Sequence, residues 1–193
     1  MFTPRSVTAG LALAALTAAC ATTDGGSPAP ATGPNLGRVP TAQEVAAWDI
    51  SIPPSGAGLP AGSGTVKQGE AVYVAQCQAC HGPKGAGKPA DPLVGGVGSL
   101  ATDKAVRTVG SYWPYATTLF DYTRRAMPVT KPLSLTNDEV YAVTAYLLYL
   151  NGIIGENDVI DAGTLPRVKM PNRDAFVVDP RPDVGKRAKA ATR

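Results

Sequence analysis

Histidine and cysteine are scarce in this sequence. Among 193 residues there is one histidine, His81, and there are three cysteines, Cys20, Cys77 and Cys80. A single histidine excludes a Ser-His-Asp triad and a metal centre built from several histidines. A zinc site would need more ligands than this small set provides. These absences leave room for one ligand cluster at most.

The chain also lacks a strong charge of either sign. Its formal net charge is +3, and no basic stripe is interleaved with aromatic residues, so nucleic acid is not an expected partner. The mild positive charge favours solubility or docking to an acidic protein. Hydrophobic residues make up 44% of the chain, enough for one core, whereas 21 glycines and 18 prolines indicate long irregular loops around a small domain.

The scarce residues are concentrated in one motif. Residues 77–81 read Cys-Gln-Ala-Cys-His, the C-x-x-C-H pattern by which a c-type haem is attached. Two thiols at this spacing reach the two vinyl groups of one porphyrin, and the adjoining imidazole binds the iron. A thioredoxin-like redox pair is the alternative, but it needs a βαβ context that the sequence does not show. We therefore expect one covalently bound haem c per chain, held by Cys77, Cys80 and His81.

The second axial ligand of this iron cannot be another histidine, because His81 is the only one. The same scarcity excludes a second haem site of this type. Methionine sulfur is the natural remaining ligand. Apart from the initiator, the candidates are Met127 and Met170, each followed by proline. The residues alone leave both candidates open.

Residues 1–20 have the pattern of an export signal. Arg5 gives a positive start, and the apolar run after it is too short to span a bilayer comfortably. The run ends in Leu-Thr-Ala-Ala-Cys, which resembles a bacterial lipobox except that Thr17 stands where leucine is usual. We expect a lipidated Cys20 to tether the protein in the periplasm. The alternative is ordinary cleavage near Ala19, which leaves Cys20 as an incidental thiol.

Composition divides the rest of the chain, since stretches rich in glycine, proline and small polar residues flank one region of helical periodicity. The expected divisions are a disordered tether at 21–40, an extended wrapping arm at 41–64, a haem-binding domain at 65–152, an extended C-terminal arm at 153–178 and a mobile basic tail at 179–193.

The wrapping arm is expected to begin with a helical turn that ends near Trp48, because Thr41 and Glu44 fit a capping box. We expect Trp48 and Ile50 to anchor the arm on the domain. Within the domain, helices are predicted from Thr65 to Cys77, weakly from Thr102 to Val109, from Pro114 to about Arg125, and from a capping box at Thr136 to Leu150.

The first of these helices carries Gly69 and Tyr73 on one face, four residues apart. Glycine at this place permits a second helix to cross closely, and the tyrosine supplies an aromatic contact beside the crossing. The order of features is then helix, C-x-x-C-H, loops, Met-Pro and terminal helix. This order resembles the class I cytochrome c fold, an all-α fold around one covalently bound haem. In that fold the distal methionine precedes the terminal helix, which implies Met127 rather than Met170.

A closer resemblance, covering roughly Trp48 to Val178, is to the cytochrome subunits of sulfite dehydrogenases and sulfane (Sox-type sulfur) dehydrogenases. It implies a molybdenum-cofactor oxidoreductase as electron donor and a downstream cytochrome c or oxidase as acceptor. Many sulfane dehydrogenase cytochromes have two haem domains, whereas this chain has one motif, which favours the one-haem sulfite type or a single-domain relative. The motifs that carry the resemblance lie at 110–116, 120–128, 133–142 and 169–173.

The resemblance implies an electron-transfer protein rather than an enzyme, because histidine and methionine occupy both axial positions. Two other functions remain open: a freestanding periplasmic shuttle to a terminal oxidase, and a ligand-binding sensor haem in which Met127 is displaced. Arg124, Arg125 and Lys131 flank Met127, so we expect them to dock an acidic partner near the haem edge. A solvated charged surface is the alternative for these three residues.

Overall fold

The computed structural model describes residues 36–177, 179 and 181. The predicted export signal, the lipobox at Cys20, most of the tether and most of the basic tail lie outside these residues. None of the described helices is long and apolar enough to cross a membrane. Within the described range the elements are α1 (Ala42–Trp48), β1 (Ser63–Thr65), α2 (Val66–Gln76), α3 (Gln78–His81), α4 (Ala116–Ala126), α5 (Asn137–Leu150), β2 (Val159–Asp161) and 3-10 turns at Pro83–Gly85, Ser99–Ala101 and Leu165–Arg167.

The chain divides into two units, Met1–Val45 and Ala46–Arg193. In the first unit the predicted capping box at the start of α1 is confirmed. The Thr41 N–H donates to the Glu44 carboxylate at 2.8 Å, and the Glu44 N–H donates to Thr41 Oγ1 at 3.2 Å. An ion pair with Arg38 and these bonds to Thr41 lower the pKa of Glu44 to about 2. The helix ends at Trp48, as the sequence predicts.

The predicted anchoring of the arm through Trp48 is wrong. Trp48 is 88% exposed, and the residue that packs into the core is Ile52, which is 6% exposed. The Ile52 N–H donates to the carboxylate of Asp121 on α4 at 2.8 Å. Ile50, the second predicted anchor, is half-buried, and its carbonyl accepts a long bond of 3.5 Å from Arg124. Trp48 still belongs to α1, and the chain reaches α4 only in the extended stretch that follows.

Helices α2 and α5 cross at Gly69, as predicted. A Cβ at this position would overlap the backbone carbonyl of Ala142, so only glycine permits the observed approach. Beside the crossing the ring of Tyr73 packs on that of Tyr146, with centroids 5.4 Å apart. The Thr65 side chain caps α2 through a capping box with Gln68. This crossing fixes the helix that leads into the C-x-x-C-H motif.

Helix α4 packs on α5 through its apolar stripe, where the rings of Phe120 and Tyr141 lie 4.4 Å apart. The predicted capping box of α5 is present, with the Thr136 N–H donating to Glu139 at 2.7 Å and the Glu139 N–H donating to Thr136 at 3.3 Å. The inward faces of the two helices are buried at Ala116, Leu119, Phe120, Thr123, Val140, Val143 and Leu147. The all-α class is therefore confirmed.

Two local expectations differ from the structure. The sequence predicts an extended arm at 41–64 without regular strands, but its last residues form β1, which pairs with β2 in antiparallel register. The weak helix expected at Thr102–Val109 is wrong. Side chains compete with helix formation there, since the Val106 N–H donates to Ser99 Oγ at 2.9 Å and the Thr108 N–H donates to Ser111 Oγ at 2.8 Å.

The C-terminal arm contains β2 and a 3-10 turn, and it is tied to the domain. Met170 is 1% exposed and belongs to the hydrophobic core. The Asn172 side-chain amide donates to the Tyr112 carbonyl at 2.7 Å. The guanidinium of Arg173 lies 4.2 Å from the ring centroid of Tyr115. The arm therefore closes over the stretch that leads into α4.

Candidate functional site

The C-x-x-C-H motif occupies the end of α2 and the single turn of α3. Cys77 is the C-cap of α2, and its N–H donates to the Tyr73 carbonyl at 2.9 Å. The N–H groups of Cys80 and His81 then donate back to the Cys77 carbonyl at 3.1 and 3.0 Å. Residues three apart on such a turn are neighbours. The turn therefore places both cysteines next to the histidine, as C-x-x-C-H attachment requires.

The two thiols are free, with Cys77 half-buried and Cys80 exposed. Burial, with a smaller contribution from Cys80, raises the pKa of Cys77 to about 11. A redox-active C-x-x-C pair needs a lowered thiol pKa. The described residues also contain no βαβ unit, since their sheet is one antiparallel pair of three-residue strands. The thioredoxin-like alternative is thus disfavoured by both geometry and chemistry.

A zinc-type site is disfavoured as well. In residues 36–177, no group of three histidine, cysteine, aspartate or glutamate side chains is placed to hold a metal ion. His81, however, is oriented so that one ring nitrogen is available to bind a metal. His81 Nδ1 lies 3.0 Å from the carbonyl oxygen of Asp91. Because a carbonyl only accepts, Nδ1 carries a proton, and in the neutral imidazole Nε2 then has the free lone pair. This tautomer fits an axial haem ligand.

The loop after the motif folds back over it, as expected for the proximal side. The Gly87 N–H donates to the His81 carbonyl at 2.7 Å, and the Ala90 N–H donates to the Cys80 carbonyl at 2.9 Å. Gly82 begins the loop with φ of 71°, and a Cβ there would overlap the Gly87 carbonyl. Glycine is therefore required at position 82 by both conformation and space. The donor set and its support fit covalent attachment of a haem c.

The two candidate sulfur ligands lie in different surroundings. Met127 is the C-cap of α4, half-buried, and its N–H donates to the Thr123 carbonyl at 3.1 Å. Met170 is enclosed in the hydrophobic core. The assignment of Met127 as distal ligand stays a prediction.

The three predicted docking residues differ in their partners. Arg125 forms a fork with Asp121, at 2.9 Å from Nε and 2.5 Å from Nη2. Among the described residues the Arg124 side chain makes one bond, the long one to Ile50, and the Lys131 side chain is exposed. The charge of Arg125 is therefore partly compensated within the protein, and the expected basic cluster is uneven.

Sequence reasoning missed several supporting residues. The i,i+4 spacing of Asp121 and Arg125 was a usable signal for their ion pair. Asn151 gave no such signal, yet its amide donates to the carbonyls of Leu93 and Leu147 at 3.1 and 2.9 Å and accepts from the Gly95 N–H at 3.2 Å. It ties the loop after the motif to the end of α5.

Comparison with known proteins gives two matches. Residues 64–147 match the family described as cytochrome C oxidase, cbb3-type, subunit III. A chain in the crystal structure of the sulfane dehydrogenase SoxCD from Paracoccus pantotrophus is 38% identical to this chain. The match covers 82% of this chain and 78% of that one, with a TM-score of 0.72. No curated protein matches the chain significantly.

Proposed function

The chain belongs to the c-type cytochrome family of the matched SoxCD chain, and we propose that it transfers single electrons through one covalently bound haem c. The observation that carries this proposal is the orientation of the His81 ring by its hydrogen bond to Asp91. His81 follows the two cysteines directly, and its Nδ1–H bond to Asp91 frees Nε2 for iron. Bound haem supplies a one-electron iron couple.

In this proposal each site residue has one role. Cys77 and Cys80 hold the porphyrin through thioether bonds, and His81 is the proximal ligand. Met127 is the distal ligand. With His81 and Met127 as its two ligands, a bound haem iron would offer no coordination site to a substrate. The chain is therefore an electron carrier, and the chemical step on a substrate belongs to another subunit.

We propose a molybdenum-cofactor dehydrogenase that oxidises sulfite or another reduced sulfur compound as the electron donor, and a downstream cytochrome c or oxidase as the acceptor. The 38% identity to a SoxCD chain supports a partner of this class. Arg124, Lys131 and, to a smaller extent, Arg125 provide positive charge for docking an acidic surface.

We also propose that the protein is exported and tethered to the membrane through a lipidated Cys20. Lipidation adds more than one acyl chain, which makes attachment stable. Wild-type protein should then fractionate with membranes and be released by detergent but not by salt. A Cys20→Ser variant should be soluble in the periplasm, and soluble wild-type protein would refute the tether without affecting electron transfer.

The test of the electron-transfer function uses the full chain matured with haem. Haem should stay with the polypeptide through acid–acetone extraction and denaturing electrophoresis, and a Cys77→Ser/Cys80→Ser double variant should lose it. Freely extracted wild-type haem would end the proposal. Rapid reduction by a sulfite-oxidising dehydrogenase from the same cell should follow. Failure of that enzyme to reduce the haem would favour a freestanding shuttle, and carbon monoxide binding to the reduced protein would indicate a sensor.

A further inference from the structure

One residue brackets the C-x-x-C-H motif from both sides. The backbone carbonyl of Tyr73 accepts the hydrogen bond from Cys77, where the motif begins. The side-chain hydroxyl of the same residue donates to the carbonyl of Gly82 at 2.7 Å, one residue after the motif ends. Tyr73 therefore holds both ends of the five residues that attach the haem.

The hydroxyl of Tyr73 is held firmly as a donor. The side chain is 0% exposed, and its ring is packed on Tyr146 beside the α2–α5 crossing. Burial raises the pKa of Tyr73 to about 12, against a lowering effect of the Gly85 N–H. The group stays protonated at neutral pH, and water does not compete for its bond. The Gly82 carbonyl also accepts a longer bond of 3.3 Å from the Gly85 N–H, so the Tyr73 hydroxyl is the closer of its two donors and its loss weakens the hold on this carbonyl.

The contact with Gly82 leads directly to the iron ligand. Gly82 adjoins His81 and opens the loop that returns to the motif at Gly87 and Ala90. The same loop ends at Asp91, whose carbonyl accepts the hydrogen bond from His81 Nδ1–H. The position of the Asp91 carbonyl depends on where the loop starts, and the Tyr73 hydroxyl is the side-chain group that holds this start, beside the backbone bond from Gly85.

We propose that Tyr73 is a positioning residue for His81, setting through Gly82 and its loop the hydrogen bond between the imidazole and Asp91. This rests on the proposed function, because the consequence is expressed at the haem iron. A firm Nδ1–H bond makes the imidazole a better donor and favours oxidised iron. Loss of the Tyr73 hydroxyl loosens that bond and shifts the equilibrium toward reduced protein.

A merely structural hydrogen bond is the competing explanation, and the chain contains a matched control for it. Tyr141 is also 0% exposed, its ring is also packed on an aromatic residue, and its hydroxyl donates to the Pro60 carbonyl at 2.8 Å. The two tyrosines thus differ in where the acceptor lies. One is beside the haem motif, and the other is in the arm before β1.

The experiment compares Tyr73→Phe with Tyr141→Phe in the haem-loaded full chain. Both substitutions keep the ring, so both proteins should fold and lose similar stability. In Tyr73→Phe, amide hydrogen exchange at Gly87 and Ala90 should accelerate about five-fold, the change expected for one net hydrogen bond. In Tyr141→Phe it should stay at the wild-type rate.

The second readout is the reduction equilibrium with a fixed redox mediator. Tyr73→Phe should shift it about two- to five-fold toward reduced protein, less than the ~10-fold associated with losing a direct partner of a ligating histidine. Tyr141→Phe should not shift it. Equal behaviour of the two variants in both readouts would refute the role of Tyr73 alone, with electron transfer intact. A wild-type chain without covalent haem would refute both proposals.

Discussion

The two sides of the proposed haem site are built in different ways. On the proximal side, residues 77–93 are tied by repeated backbone bonds, including those to the carbonyls of Cys80, His81 and Gly85. On the distal side, the segment from Met127 to Leu135 is held by the N–H of Met127 to Thr123 and that of Lys131 to Pro128. Val129 in this segment is 68% exposed.

This difference indicates separate control of the two ligands. The proximal histidine is oriented by its own loop, so its geometry is encoded within fewer than twenty residues of chain. Met127, the proposed distal ligand, is the C-cap of α4, and its position depends on how that helix packs on α5. Substitutions that alter the packing of α4 on α5 should therefore displace Met127 more than His81.

The largest expected effect breaks the distal side. Met127→Ala should keep the covalently attached haem but abolish the weak near-infrared methionine–iron charge-transfer band and lower the reduction potential, because a thioether ligand raises it. Absorption spectroscopy of the oxidised protein and redox titration measure both. The proximal side should be untouched, and amide exchange at Gly87 and Ala90 should not change.

Met170→Ala is the control for this prediction. Met170 is enclosed in the core, so its truncation should cost about 2–5 kcal/mol of unfolding free energy and leave the near-infrared band in place. Loss of the band in Met170→Ala instead of Met127→Ala would show that the C-terminal arm, rather than the end of α4, supplies the distal ligand.

The second prediction concerns α2, the helix that leads into the C-x-x-C-H motif. Gly69→Ala forces a methyl group against the Ala142 carbonyl, and overpacking of this kind costs about 1–3 kcal/mol. Urea denaturation should show this loss. Ala71→Leu enlarges an exposed residue on the same helix, and it should change stability by less than about 0.5 kcal/mol. Equal stability of Gly69→Ala and the wild type would mean that the helices separate at no cost.

Sequence predicted best those features that depend on neighbouring residues. The C-x-x-C-H motif, the capping boxes at Thr41 and Thr136 and the glycine of the α2–α5 crossing are all read from short spacings. The exposure of Trp48 and the burial of Ile52 were not anticipated. Ile52 is held by a bond from its N–H to Asp121, 69 residues further along the chain. Such a contact leaves no periodic signal.

The same limit applies to the support of the proximal side. The Tyr73 hydroxyl, the His81 ring and the Asn151 amide each bond to a backbone carbonyl of the loop after the motif. Any residue has a backbone carbonyl, so the sequence gives no indication of which one is used. The ligand itself is visible in the sequence, whereas the atoms that orient it are visible only in the structure.

A smaller loss of stability is expected from a change at Asp121, the residue of α4 that binds the arm through Ile52. Burial raises the pKa of Asp121, but hydrogen bonds from Arg125 and Ile52 outweigh it, and the net pKa is lowered. A lowered pKa stabilises the folded state above the unfolded value of about 3.9, and this stabilisation is lost as pH falls through the folded value. Asp121→Asn should therefore cost about 1 kcal/mol at pH 7, a value reduced by the exposure of Arg125.

Thermal unfolding at several pH values measures this dependence. The difference between wild type and Asp121→Asn should narrow below about pH 4, near the unfolded pKa of aspartate. Asp174 is an exposed carboxylate outside α4. Asp174→Asn therefore serves as the matched control, and its stability should equal that of the wild type. A gap for Asp121→Asn that stays constant with pH would show that the carboxylate contributes through shape and hydrogen bonding rather than charge.

The smallest expected effect concerns the predicted docking residues, which differ in whether a carboxylate pairs with them. Arg125 is paired with Asp121, so the two together add little net charge to the surface, whereas Arg124 and Lys131 lack a carboxylate partner among the described residues. An Arg124→Gln/Lys131→Gln double variant should slow reduction by an acidic dehydrogenase a few-fold at low salt, and the difference should vanish as salt screens the charges. Stopped-flow reduction at several ionic strengths measures the rate.

Arg125→Gln should leave that rate nearly unchanged and instead lower stability, because it leaves the buried carboxylate of Asp121 without its charge partner. If Arg125→Gln slows association as much as the double variant does, its guanidinium leaves Asp121 to meet the partner, and the ion pair is a feature of the unbound protein only.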